Sequence, residues 1–369
     1  MSLEGLAGRL RLCPQGTPAV VCERPMVGAA LLGRLTSGRR AVLLPDLLAG
    51  VFSLCADAQR STARRAVKAA LGFVDGEADA VRDRLALSAH VAREHLQRFA
   101  LDLPAHTGSR GDVGWMRDAP VTALPAITTG PGEQALRHAL HALPGWLERR
   151  LFGQDPAAWL AGWQAEGGAW LARWCSASAH PVARWLAQVQ GSAHAAAWHC
   201  RALDLLDDPQ EGLREVAAAL RESPAFAERP LWQGAPAETG PWTRQGADEG
   251  VYTAWDRLGA RLAELAALAG GQPLALGALT LDDGEGIAWT EMSRGLLVHW
   301  CRLEPGERDP GTARVARYLV IAPTEWNFHP EGLFARWLQD AARPPAHVHL
   351  AAAALDPCVA FTVQEAGDA

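Results

Sequence analysis

No run of apolar residues in this 369-residue chain approaches the roughly 20 that a membrane-spanning helix needs, so membrane insertion is not expected. The opening residues, Met1-Ser2-Leu3-Glu4-Gly5, lack a basic stretch followed by an apolar one, which argues against a secretory signal. There is no basic excess: the net charge is −6, and a nucleic-acid partner is not expected. Cysteine is scarce and odd in number, seven over the whole length. That excludes a disulfide scaffold and fits a reducing, cytoplasmic setting. His-Glu-x-x-His, Cys-x-x-Cys, Walker A and Gly-x-Ser-x-Gly patterns are all missing, and with them the commonest sequence marks of zinc, nucleotide and serine chemistry.

What is present is ample core material, 49% hydrophobic, so the chain is not disordered. Arg9 to Cys13 and Ala19 to Cys22 are β-type runs around Pro14-Gln15-Gly16-Thr17-Pro18, a hairpin signature. From Ala56 to Leu101 the pattern turns helical, with Leu85, Val91, His95 and Phe99 on one face. Residues 104–132 and 223–247 are rich in Pro and Gly and read as loops. Between them, Trp159, Trp163, Trp170 and Trp174 form a stripe that reads as core packing. A helix is expected from Val251 to Leu268, and another from Glu331 to Ala342. Ile287 to Ile321 should form two β-type runs around Pro305-Gly306-Glu307-Arg308-Asp309-Pro310-Gly311. The sum is an α+β fold: one domain over 1–369, with a β-rich part (1–50), a helical body (51–270) and a C-terminal α/β part (271–369). Short hairpins lie near both ends.

Six separated blocks carry a further signal. Val51-Phe52-Ser53-Leu54-Cys55 runs into Arg65-Ala66-Val67-Lys68-Ala69-Ala70-Leu71-Gly72. His95-Leu96-Gln97-Arg98-Phe99 and Pro236-Ala237-Glu238-Thr239-Gly240-Pro241-Trp242-Thr243-Arg244 follow. Then come Glu291-Met292-Ser293-Arg294-Gly295-Leu296-Leu297-Val298-His299-Trp300, Ala322-Pro323-Thr324-Glu325-Trp326-Asn327, and Asp356-Pro357-Cys358-Val359-Ala360-Phe361. Each is weak alone, but their order resembles that of nickel–iron hydrogenase large subunits, which implies a large-subunit-like fold. The departures matter equally. Phe52 and Phe361 stand where that family has cysteines, Arg98 replaces the second histidine of a His-x-x-His-Phe helix, and Ser293 replaces a proline. This combination resembles the HupK/HoxV type of hydrogenase expression and maturation protein.

The resemblance implies that Cys55 matches a thiolate bridging both metals and Cys358 a terminal nickel ligand. With two ligands lost to bulky apolar rings, nickel should bind poorly. Iron in the form of Fe(CN)2(CO) could still be held, transiently, by two soft thiolates. Arg294, Pro323 and Thr324 match residues around the diatomic ligands, where a guanidinium donates to cyanide, and Asp356 matches one that orients ligands. The implied role is a non-catalytic scaffold that receives the iron unit from a HypC–HypD-type complex and passes it to a hydrogenase large subunit. The alternatives are a degenerate oxidoreductase and a metal-free interaction protein.

The residues by themselves also admit plainer roles. Cys55 and Cys358 could be buried small hydrophobes; Cys13, Cys22, Cys175, Cys200 and Cys301 have no such motif context and are expected to be structural. Arg294 could form an ordinary strand-end ion pair, and Asp356 could be a helix N-cap with Pro357 at the first helical position. His347 and His349 would share a face if they lie in a strand; His138 and His141 have helical spacing and no third ligand. The family's Arg-x-Glu-Gly-His proton relay has no good match: Arg9 to Leu12 places Ala7 at the glutamate, and a register on Glu4-Gly5 places Leu6 at the histidine. Only five residues follow Gln364, the match to the family's mature C-terminus, so no processing peptide is expected.

Overall fold

A computed structural model describes residues 8–23, 29–52, 55–73, 75–124, 132–246, 249–282 and 284–364. Ala7 and Glu4 to Leu6, on which the relay registers depend, lie outside them, as do Ser53 and Leu54. Strands β1 (Arg9–Leu12) and β2 (Val20–Glu23) form the expected hairpin. Helices α1 (Ala29–Thr36), α2 (Leu44–Val51), α3 (Ala56–Ala70) and α4 (Glu77–Gln97) follow. The helical body continues with α5 (Glu133–Leu147), α6 (Pro156–Glu166), α7 (Gly168–Ala177), α8 (Pro181–Ala195) and, after β3 (Ala197–Cys200), α9 (Pro209–Glu222). Strand β4 (Gly250–Thr253) leads into α10 (Ala254–Ala269). Then β5 (Leu276–Thr280), β6 (Glu285–Met292), β7 (Gly295–Leu303) and β8 (Val315–Ile321) form an antiparallel meander. The chain closes with α11 (Pro323–Asn327), α12 (Leu333–Asp340), α13 (Pro345–Leu355) and β9 (Ala360–Val363).

Two features bring the ends of the chain together. Strand β9 pairs in parallel with β1, Arg9 opposite Ala360 and Leu12 opposite Val363. Helix α3 lies on β6 and β7 at the start of the meander. Gly286 permits that approach, because a Cβ there would fall 2.4 Å from the Ala70 nitrogen and 2.6 Å from the Ala66 oxygen. The meander is covered on both sides: one core cluster joins it to α1, α2 and α3, and another joins it to α9. That is why β6 and β7 are buried along nearly their whole length rather than at alternate residues.

Four expectations change. The first 50 residues are not mainly β: Leu32, Leu44 and Leu48 are buried on α1 and α2 beneath the sheet, and among the described residues there strands occupy 9–12 and 20–23. The tryptophan stripe is split between α6 and α7, which meet at Gly167 with φ +54. Packing still explains it, since Trp159 stacks on Trp163 at 6.3 Å and meets Trp174 edge-on at 5.8 Å. The run from Ile287 contains an extra hairpin, β6–β7, whose tip is Ser293-Arg294. Finally, 345–355 is helix, so Asp356 caps its C-terminal end in the left-handed region (φ 55) instead of starting a helix. His347 and His349 sit on that helix two residues apart, and so do not share a face.

Candidate functional site

Cys55 occupies the residue before α3, and its N–H donates to the Phe52 carbonyl at 3.2 Å. Cys358 lies in the turn between α13 and β9, where its N–H donates to the Thr324 hydroxyl at 3.0 Å. Pro323 starts α11 and so sets the position of Thr324. Both cysteines are buried, 3% and 6% exposed, and their thiols are in hydrogen-bonding contact. Cys358 raises the Cys55 pKa well above the thiol range, burial raises it further, and Arg294 opposes both. The Gln59 amide donates to the Cys55 sulfur at 3.6 Å. Phe52 joins this cluster. Phe361 does not: its ring stacks on His106 at 4.8 Å, beside His349, and packs against the helical core. Of the two rings at the family's cysteine positions, Phe52 thus shares the core cluster of Cys55 and Cys358, whereas β9 carries Phe361 toward α13.

Arg294, 3% exposed at the β6–β7 tip, lies close enough for both thiols to favour its charge. Burial opposes that charge, but Asp356, Glu94 and the two cysteines outweigh it and hold the pKa well above the usual value. Its Nη1 donates to Glu94 at 3.3 and 3.4 Å, and its Nε is 3.5 Å from Asp356. Glu94 also accepts from the Ser293 hydroxyl. Burial would raise the Glu94 pKa, yet Arg294 and His90 hold it well below the carboxylate range. Asp356 is kept ionised against its burial by Arg294, Arg98 and Arg261. Arg294 thus does form the plain ion pairs expected of it, with Glu94 and Asp356, beside the two cysteines.

Several charged residues here have no place in the sequence reading. Arg257, Arg261 and Glu264 follow one another at helical spacing along α10, nearly all of which is buried. Arg257 grips Glu238 with two 2.7 Å bonds. Arg261 donates to the Ser293 and Ala354 carbonyls at 3.0 and 3.1 Å. Glu264 accepts from His95 at 2.8 Å and from Arg244 at 2.7 and 2.8 Å. Arg244 also donates to Glu291, and a cleft of about 1210 Å3 reaches this group of three. The available signal was charge at 257, 261 and 264 within an Ala/Leu-rich helix. His90 is the other omission: it lies 3.1 Å from Asp57 on α3 and 3.2 Å from Glu94.

Among the described residues, no group of three or more His, Cys, Asp and Glu side chains is placed to hold a metal ion. The donor set at the cysteines is two soft sulfurs beneath a guanidinium. It suits a metal that brings its remaining ligands with it.

No family model matches the chain. Its fold is that of the hydrogenase large subunit: the reduced, active nickel–iron–selenium hydrogenase of Desulfomicrobium baculatum superposes with a TM-score of 0.52 at 14% identity, over 92% of this chain and 93% of that one. In sequence it is 38% identical to the hydrogenase expression/formation protein HoxV of Cupriavidus necator, over 97% of this chain and 96% of the relative. It is 30% identical to HupK of Rhizobium leguminosarum bv. viciae, over 92% and 91%. The chain belongs to this HupK/HoxV family of hydrogenase expression/formation proteins.

Proposed function

We propose that the protein holds the Fe(CN)2(CO) unit of a nickel–iron hydrogenase cofactor as cargo, at Cys55 and Cys358, and passes it to a hydrogenase large subunit without turning over hydrogen. Relatives named for hydrogenase expression and formation support a place in assembly. The observation that carries the reading is the contact between two thiols about 300 residues apart in sequence, beneath Arg294. Uptake replaces the thiol protons by iron. Arg294 donates hydrogen bonds to cyanide nitrogens, and Thr324 fixes the backbone that carries Cys358. Pro323 and Asp356 hold the two turns in place. Two protein donors, in place of the four of a hydrogenase site, favour iron over nickel and allow release by thiol exchange. Supply by a HypC–HypD-type complex in the cytoplasm completes the scheme. No described helix is long and apolar enough to cross a membrane.

The test is protein purified anaerobically from cells making the cofactor. Infrared spectra should show metal-carbonyl and metal-cyanide bands, and metal analysis should find iron with little nickel. Cys55→Ala and Cys358→Ala should each lose the bands while keeping the parent circular dichroism. Stoichiometric nickel, or no bands, removes the carrier role; unfolding of both variants returns the cysteines to a packing role.

A further inference from the structure

Arg98 and Arg294 approach the same oxygen, Oδ1, of the carboxylate beside Cys358. Asp356 receives Arg98 Nη2 at 2.8 Å, Arg261 Nη1 at 3.2 Å and Arg294 Nε at 3.5 Å. Arg98 has the shortest contact, and its other nitrogen is anchored on Asp102 at 2.8 Å. It stands on a π-helical turn, Arg98–Asp102, at the end of α4, a widening of the helix often found at functional positions. Arg261 is committed to two carbonyls. Arg294 is left with long contacts only, those to Glu94 at 3.3 and 3.4 Å. Glu94 is itself engaged by Ser293 and His90. Among the described residues the Arg294 Nε has no hydrogen-bond partner although it is buried. A cavity of about 10 Å3 touches Arg294 and is lined by Thr239, Pro241, Arg261 and Leu355, with neither cysteine in its wall. A buried polar atom without a partner carries a free-energy cost, and Arg261 Nε and Asp356 Oδ2 share that state, so the cluster around Asp356 keeps unused hydrogen-bonding capacity.

An iron(II) unit with two cyanides and two thiolates is an anion, and Arg98, Arg261 and Arg294 are the guanidinium groups gathered around Asp356 beside the thiol pair. We propose that Arg98 is a positioning residue for cargo binding: by occupying Asp356 it keeps that carboxylate from capturing Arg294, and leaves the Arg294 donors for an anionic diatomic ligand. This rests on the carrier reading above and adds the residue that tunes it. Arg98 stands where the large-subunit motif has histidine, so the exchange adds a permanent charge and a second donor arm.

The prediction is a coupling, read on the whole protein. Arg98→His lets Asp356 draw in Arg294, so bound cargo should be lost to a thiol competitor roughly tenfold faster or more, with a shift of the cyanide bands. In an Asp356→Asn background there is no carboxylate to compete, and Arg98→His should change the loss rate less than twofold. A merely structural Arg98 would act equally in both backgrounds. The second readout needs no cargo. In metal-free protein with 15N-labelled arginine, the Arg294 Nε–H resonance should move when Arg98→His is introduced and stay in place in the Asp356→Asn background. Equal effects of Arg98→His in the two backgrounds, or an Arg294 resonance indifferent to it, overturn the proposal. Should the parent protein show no carbonyl or cyanide bands, the cargo is wrong, and the metal-free resonances alone decide the role of Arg98.

Discussion

A buried cysteine is ordinarily a small apolar side chain, and what sets Cys55 and Cys358 apart is that their sulfurs meet. Arg294 follows the same logic: a buried guanidinium with only long contacts to carboxylates has donors to give. Arg294→Lys keeps the charge but replaces a planar fork by a point donor on a flexible stem. We expect the proposed cargo to leave that variant faster by about one to two decades, from the roughly 1.5–3 kcal/mol of one charge-assisted hydrogen bond. The measurement is the decay of the carbonyl and cyanide bands under a thiol competitor, and equal decay for parent and variant would free Arg294 from this role. Cys55, Cys358, Arg294, Pro323, Thr324 and Asp356 were legible in sequence as candidates because each falls in an ordered motif. Arg261 and His90 were not, since their importance comes from partners remote in sequence: Asp356 for Arg261, and Asp57 for His90.

At the scale of elements, α3 and α4 are joined by charge as well as by packing. His90 on α4 bridges Asp57 on α3 and Glu94 one turn along its own helix, with Arg93 3.0 Å from its Nδ1. Burial would lower its pKa, but Glu94 and Asp57 outweigh it and raise it to about 9. A raised folded-state pKa means that the stabilisation is complete below the unfolded value of about 6.5 and is lost as pH climbs through about 9. Urea unfolding between about pH 6 and 9.5 should therefore show the parent losing on the order of 3 kcal/mol more than His90→Gln. Parallel pH profiles would mean that His90 does not carry a folding-linked proton. Legibility at this scale followed periodicity. Helix α4 and the β1–β2 hairpin were readable from their spacing and turn residues. Helix α13 was not: Val348 and Leu350 to Leu355 are all buried, so no polar face marks a helical period. The β6–β7 tip was hidden for a different reason. Ser293-Arg294 carries no Asn-Gly or Gly-x turn signal; the glycine comes after it, with φ +127 at Gly295.

Across the whole molecule, the fold brings one sulfur from the head of the helical body and one from the tail of the chain to a single point. Strand β9 holds its end through β1, and Gln364 adds a bond from the Cys13 thiol at 2.9 Å. The overall class, α+β with a large-subunit topology, was readable because the motif blocks keep their order; the meeting of the two ends was not, since parallel pairing of β1 with β9 leaves no local trace. That arrangement makes cargo a structural link. Iron bound to both thiols would tie α3 to the α13–β9 turn, and would bind the folded chain while the unfolded chain offers only two distant cysteines. A ligand of that kind stabilises by mass action, about 2.7 kcal/mol when present at a hundredfold its dissociation constant. We therefore expect cargo-loaded protein to unfold at higher urea than cargo-free protein, with new amide-exchange protection at the start of α3 and around Cys358. Cys358→Ala should remove both effects. The gain should be absent from α6 and α7, whose tryptophans pack in a separate core. Equal midpoints for loaded and cargo-free protein would mean that the iron is not held across the two ends, and that at least one of the two sulfurs is not a ligand.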